Sequence, residues 1–161
     1  MTDTEKRKLN KKVIEDYLFG TLKEGIDSSD YFAEDGVQIV PFNPTGKPVE
    51  IKGRTAIKKV YDENALLFQN WRYTKAEFYP TVNPDIFWLE AQGEGEALFS
   101  GRPEPYKNNY FFYFELKDGK IVVFKEIMDS IKLVKEMGID LPEFPSPHDE
   151  QFMKQVEEKN R

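Results

Sequence analysis

Residues 110–128 read Tyr-Phe-Phe-Tyr-Phe-Glu-Leu-Lys-Asp-Gly-Lys-Ile-Val-Val-Phe-Lys-Glu-Ile-Met, two apolar runs joined by Asp118-Gly119. Asp-Gly between apolar runs is the strongest short-range signal of a two-residue β-hairpin. Side chains alternate between the faces of a strand, so Val122, Phe124, Glu126 and Met128 are expected on one face. Glu126 is then a carboxylate in an apolar row. Burying an unpaired charge is costly, so such a group is paired, protonated or functional.

The turn also sets the expected partners. With Lys117 opposite Lys120, Glu126 faces Phe111, Phe124 faces Tyr113, Met128 faces Asn109 and Val122 faces Glu115. Apolar residues dotted with Glu126, Tyr113 and Asn109 have the make-up of a ligand pocket. The opposite face pairs Leu116 with Ile121, Phe114 with Val123, Phe112 with Lys125 and Tyr110 with Ile127. One extra residue in either strand would exchange the faces beyond it.

Outward from the hairpin, residues 4–22 predict an amphipathic helix carrying Leu9, Val13, Ile14, Tyr17, Leu18 and Leu22, ending before Gly25. A short helix capped by Ser28 or Ser29 is expected to carry Tyr31-Phe32-Ala33, followed by a turn at 34–36 and strands at 37–40 and 49–51. A third helix spans about 55–68, with Ile57, Val60, Tyr61, Ala65 and Phe68 as its stripe. Long strands follow at 73–81, 86–99, 106–116 and 120–128. Asp129 or Ser130 caps a short helix, and a last helix starts near Ser146-Pro147. The expected architecture is α+β: a curved antiparallel sheet wrapped on N-terminal helices around a cavity, over residues 1–144, with a helical tail at 145–161.

Both hairpin faces look apolar, yet few helices are available to cover them. A homodimer through the sheet is therefore expected, using the row Tyr110, Phe112, Phe114, Val123 and Ile127. The chain has 161 residues, one domain's worth, and 23 basic against 29 acidic residues leave a net charge of -6. That balance argues against nucleic acid as the main partner. There is no cysteine, which excludes thiol nucleophiles, and the one histidine, His148, sits among prolines. No run is long and apolar enough for a membrane span, and a reducing cytoplasm is compatible with these features.

Several segments resemble a known family. Tyr31-Phe32-Ala33-Glu34-Asp35-Gly36-Val37 and Gly53-Arg54-Thr55-Ala56-Ile57 are similar to signatures of the SnoaL-like, nuclear-transport-factor-like fold. Ile51-Lys52-Gly53-Arg54, Phe87-Trp88-Leu89-Glu90, Gly93-Glu94-Gly95, the 114–121 segment and Lys125-Glu126-Ile127-Met128-Asp129 resemble the phenazine-biosynthesis A/B family. The resemblance runs from about residue 5 to 144. It implies a dimeric cone-shaped fold and acid/base assistance, without a cofactor, in condensing two amino-ketone cyclohexene carboxylates. The family's acidic residue falls on Glu126. The positions of its histidine and serine on the third helix hold Val60 and Asn64 here.

Candidate residues keep two readings each. Glu126 is a proton shuttle or a carboxylate satisfied by a hydroxyl such as Tyr113. Asn64 contacts ligand or faces solvent. Tyr61 offers a phenol or packs in the core. Asn109, Phe111, Tyr113, Phe124 and Met128 line the pocket if the register holds, while Trp88 and Trp71 are ligand platforms or core. Arg54 and Arg102 clamp an anion or pair on the surface. Glu90, Gln92, Glu94 and Glu96 alternate with small residues, which reads as a polar outer face more simply than as a metal site. No metal or cofactor is expected. The functional alternatives are a condensing enzyme, cyclase or isomerase acting on a polar carbonyl compound, a ligand-binding dimer that has lost catalysis, and an isomerase or epoxide hydrolase acting on an unrelated apolar substrate.

Overall fold

A computed structural model of the chain describes residues 1–20, 27–141 and 150–159. The elements are α1 (Asp3–Gly20), a one-turn 3-10 helix (Ser28–Tyr31), β1 (Phe32–Val40), β2 (Val49–Lys52), α2 (Arg54–Leu67), β3 (Phe68–Pro80), β4 (Ile86–Ala97), β5 (Glu104–Lys117), β6 (Lys120–Met128), α3 (Ser130–Glu136) and α4 (Glu150–Lys159). The six strands form one curved, unclosed sheet in the order β2-β1-β6-β5-β4-β3. Every pairing is antiparallel except β1 with β6, which brings the first strand alongside the last.

The expected α+β layout holds, with local corrections. The short second helix is a single 3-10 turn capped by Asp27, whose carboxylate accepts from the Ser29 amide at 2.9 Å. Phe32 and Ala33 already belong to β1, and residues 34–36 lie within that strand. The β1–β6 register shifts between Phe32 and Val37, and at Gly36 a side chain would meet the Ile121 carbonyl at 2.9 Å. Gly25, Leu22 and the Ser146-Pro147 helix start lie outside the described residues.

α1 buries Asn10, Ile14, Tyr17 and Leu18, while Leu9 stays on the surface. Its first turns are tied to the β3–β4 connection: Arg7 donates to the Thr81 carbonyl at 2.7 Å, and the Asn10 amide donates to the Pro84 carbonyl at 3.1 Å and to Asp85 at 2.8 Å. This latch sets Tyr17 over the sheet, where its ring packs edge-on against Phe32, Phe114 and Phe124. β4 alternates as expected. Its small inner residues admit the Trp71 ring, so that a Cβ on Gly93 would stand 2.2 Å from that ring.

The hairpin turn is as expected, with Asp118 and Gly119 at φ 50° and 73°, the left-handed pair of a type I′ turn. The register beyond it is not. Leu116 faces Ile121, but Glu115 faces Val123, so Val122 is an extra residue in β6. This bulge reverses the expected facing: Phe124 pairs with Phe114, Glu126 with Phe112 and Met128 with Tyr110. Tyr110, Phe112 and Phe114, expected on the dimer face, are instead buried in the core.

Candidate functional site

Glu126 lies on the inner face of β6, two residues beyond Phe124, against the aromatic core. The Phe112 and Phe124 rings are 5.2 Å apart, and Phe114 stacks on Phe124 at 4.7 Å. Tyr73 from β3 closes on Phe112 at 5.5 Å and on Tyr110 at 5.8 Å. The Glu126 charge is felt by the phenols of Tyr17 on α1, Tyr61 on α2, Tyr73 on β3 and Tyr110 on β5. Tyrosines from four other elements thus lie within electrostatic reach of a carboxyl on the last strand.

Its partner is Gln38. β1 runs parallel to β6 with Gln38 beside Phe124, and the Gln38 Nε2 donates to Glu126 Oε2 at 2.9 Å. Gln38 is buried, and its Oε1 has no hydrogen-bond partner among the described residues. Burial pushes the Glu126 carboxyl from the usual 4.5 up to about 7, against the opposing pull of the Gln38 hydrogen bond. The group can therefore hold or release a proton near neutrality.

The phenols of Tyr17 and Tyr61 meet at 2.7 Å across the α1–α2 junction. Burial raises the pKa of both well above the usual phenol value, so they stay protonated. In such a pair one phenol donates to the other, and the acceptor keeps its own proton for a further partner. Tyr61 lies within electrostatic reach of Glu126, and Phe124 and Met128 share the strand face of Glu126. Val60, at the position the resemblance assigns to a histidine, is half-buried on α2.

The other candidates lie elsewhere. Phe111, Asn109, Tyr113 and Trp88 are on the face of the sheet opposite Glu126, because Val122 shifts the register. Phe111 and Trp88 are exposed, and Tyr113 bonds Glu115 at 3.3 Å rather than Glu126. Asn64 is on the outside of α2. Trp71 packs against Tyr106 and Tyr110. Arg54 pairs with Glu34 at 2.5 Å and Arg102 with Glu104 at 3.0 Å, both at the surface. Among the described residues no acidic or histidine cluster could hold a metal ion, and no helix is long and apolar enough to cross a membrane. Sequence reasoning passed over Gln38. Its signal was an amide within the apolar stretch Val37-Gln38-Ile39-Val40.

Helices packed on a curved, unclosed six-stranded sheet are the fold of nuclear-transport-factor-like and ketosteroid-isomerase-like proteins. One such structure is a protein with a ketosteroid isomerase-like fold from Catenulispora acidiphila, which superimposes with a TM-score of 0.64 at 16% identity, covering 83% of this chain and 97% of that one. The chain belongs to the phenazine biosynthesis protein A/B family, whose model matches residues 1–147. It is 30% identical over 141 residues to phenazine biosynthesis protein PhzB of Pseudomonas fluorescens, covering 87% of each chain. The crystal structure of the phenazine biosynthesis-related protein PhzB2 from Pseudomonas aeruginosa superimposes with a TM-score of 0.80 at 26% identity, covering 91% of this chain and 96% of that one.

Proposed function

We propose that the protein binds a small polar carbonyl compound between the helices and the sheet and moves a proton on it, in a condensation or isomerisation that uses Glu126 as the proton carrier. The observation that carries this is the inward carboxyl, bonded to Gln38 at 2.9 Å and with its acidity brought to about 7. A cavity is part of the proposal. It is supported by the partial exposure kept by Glu126, Tyr61, Tyr73 and Met128 although all lie against the core.

The chemistry follows from the charge states. Ionised Glu126 takes a proton from a carbon or nitrogen next to the substrate carbonyl. As the neutral acid it returns that proton to the carbonyl oxygen or to the adjacent carbon. The Tyr17–Tyr61 pair supplies a neutral donor to the oxygen on which charge develops. Such proton transfer is worth about 10²–10⁴ in rate. The names of the relatives, phenazine biosynthesis proteins, support a step of phenazine biosynthesis as the first reaction to assay.

Val60 favours a second possibility, a ligand-binding dimer without turnover, because valine offers no proton where the family resemblance expects a histidine. The two separate in Glu126→Gln, which keeps the shape and the Gln38 contact. Turnover lost by 10²-fold or more with ligand affinity retained supports the proton carrier. Absence of turnover in both forms, with an altered affinity in the variant, supports the binding protein.

Dimerisation is proposed through the outer face of the sheet. The cross-strand row Tyr79, Trp88, Tyr113 and Lys125, with Phe111 and Ile127 beside it, leaves large apolar groups exposed.

A further inference from the structure

We infer that Gln38 is a positioning residue that holds Glu126 in both of its protonation states by reversing its side-chain amide. The inference rests on Glu126 acting as a proton carrier. Its starting point is the pairing of a made and an unmade bond on one amide: Nε2 donates to Glu126 at 2.9 Å, while Oε1 is buried and has no partner among the described residues. An unmet buried acceptor is costly and needs a reason.

A side-chain amide carries a donor and an acceptor on one planar group, and a half-turn about its Cγ–Cδ bond exchanges them without moving the rest of the chain. When Glu126 is ionised it needs a donor, and Nε2 supplies one. When Glu126 is protonated, its O–H needs an acceptor, and Oε1 turned into the same place supplies that. One amide group stays unmet in each state, so neither orientation is locked. A Gln38 fixed by a second bond would favour one charge state and oppose half of every proton-transfer cycle. Among the described residues, the other titratable groups that feel the Glu126 charge are phenols: Tyr17 from α1, Tyr61 from α2, Tyr73 from β3, and Tyr106 and Tyr110 from β5. Burial makes all of them weaker acids than a free phenol, so none exchanges a proton in the range where Glu126 does.

The test is nuclear magnetic resonance of the full chain labelled with ¹⁵N and ¹³C, following the Glu126 carboxyl carbon and the Gln38 side-chain amide from acid to alkaline pH. Both signals are expected to move with one shared midpoint, and in Glu126→Gln the Gln38 signal no longer titrates. In Gln38→Met the Glu126 midpoint rises by about one pH unit, because the ionised form loses the stronger of the two bonds. Gln38→Leu gives the same rise and serves if the methionine variant does not fold. A Gln38 signal that stays still through the Glu126 transition, or a midpoint that holds or falls in the folded variant, overturns the inference. Turnover of Glu126→Gln separates this from the proposed function. Shared titration with unchanged turnover overturns only the proton carrier, and turnover lost without shared titration overturns only the role of Gln38.

Discussion

Glu126 imposes a stability cost as well as a possible chemistry. In the unfolded chain its carboxyl ionises near 4.5, in the folded chain near 7. Between those values the unfolded state binds fewer protons, so stability falls as pH rises through the window. Below about 4.5 the penalty is absent, and above about 7 it is complete, on the order of 3 kcal/mol. Glu126→Gln has no such ionisation. Urea unfolding at pH 5 and pH 8 is expected to show the parent losing stability relative to the variant at the higher pH. An equal pH response in the two proteins would mean that the carboxyl is not desolvated. At Tyr61, the phenol bonded to Tyr17 at 2.7 Å predicts that Tyr61→Phe leaves one buried hydroxyl short of a partner. A loss of about 1–2 kcal/mol in thermal or chemical unfolding is expected.

Among the elements, β4 and β6 show what could be read in advance. The alternation of Glu90, Gln92, Glu94 and Glu96 with small residues declared the two faces of β4, because a half-buried strand repeats every second residue. Gly93 owes its identity to the Trp71 ring, 2.2 Å from where a Cβ would stand, so Gly93→Ala must displace that ring or the strand. A destabilisation of about 1–3 kcal/mol is expected by calorimetry. In β6 the inward glutamate was legible from Phe124, Glu126 and Met128, and so was the Asp118-Gly119 turn. The partners were not, because Val122 is chemically an ordinary strand residue. Nothing local marks it as the extra one, yet it moves Phe111, Tyr113, Asn109 and Trp88 to the far face. Gln38 was hidden for another reason. Its contact depends on the parallel β1–β6 pairing, which no short-range pattern encodes.

For the whole molecule, the same register shift redistributes apolar surface. Tyr110, Phe112 and Phe114 fill the interior, while Trp88 and Phe111 stand 41% and 52% exposed on the outer side. If that side is the dimer face, Trp88→Lys together with Phe111→Lys places like charges across a two-fold contact. Light scattering at micromolar concentration is expected to fall from a dimer mass to a monomer mass, with the far-ultraviolet spectrum unchanged. A monomeric parent protein would remove the proposal.

The parallel pairing of β1 with β6 also orders events in time. Gln38 and Glu126 are separated by 88 positions, so their contact closes almost the longest loop in the sheet. Loop-closure entropy and high contact order make such contacts late. On the ribosome, Gln38 emerges long before the strand that will cover it, and the antiparallel strands between can pair in succession while the amide waits. The carboxyl therefore becomes buried only when the sheet is complete, and a chain stopped before β6 has every one of these tyrosines and no Glu126 carboxyl beside them.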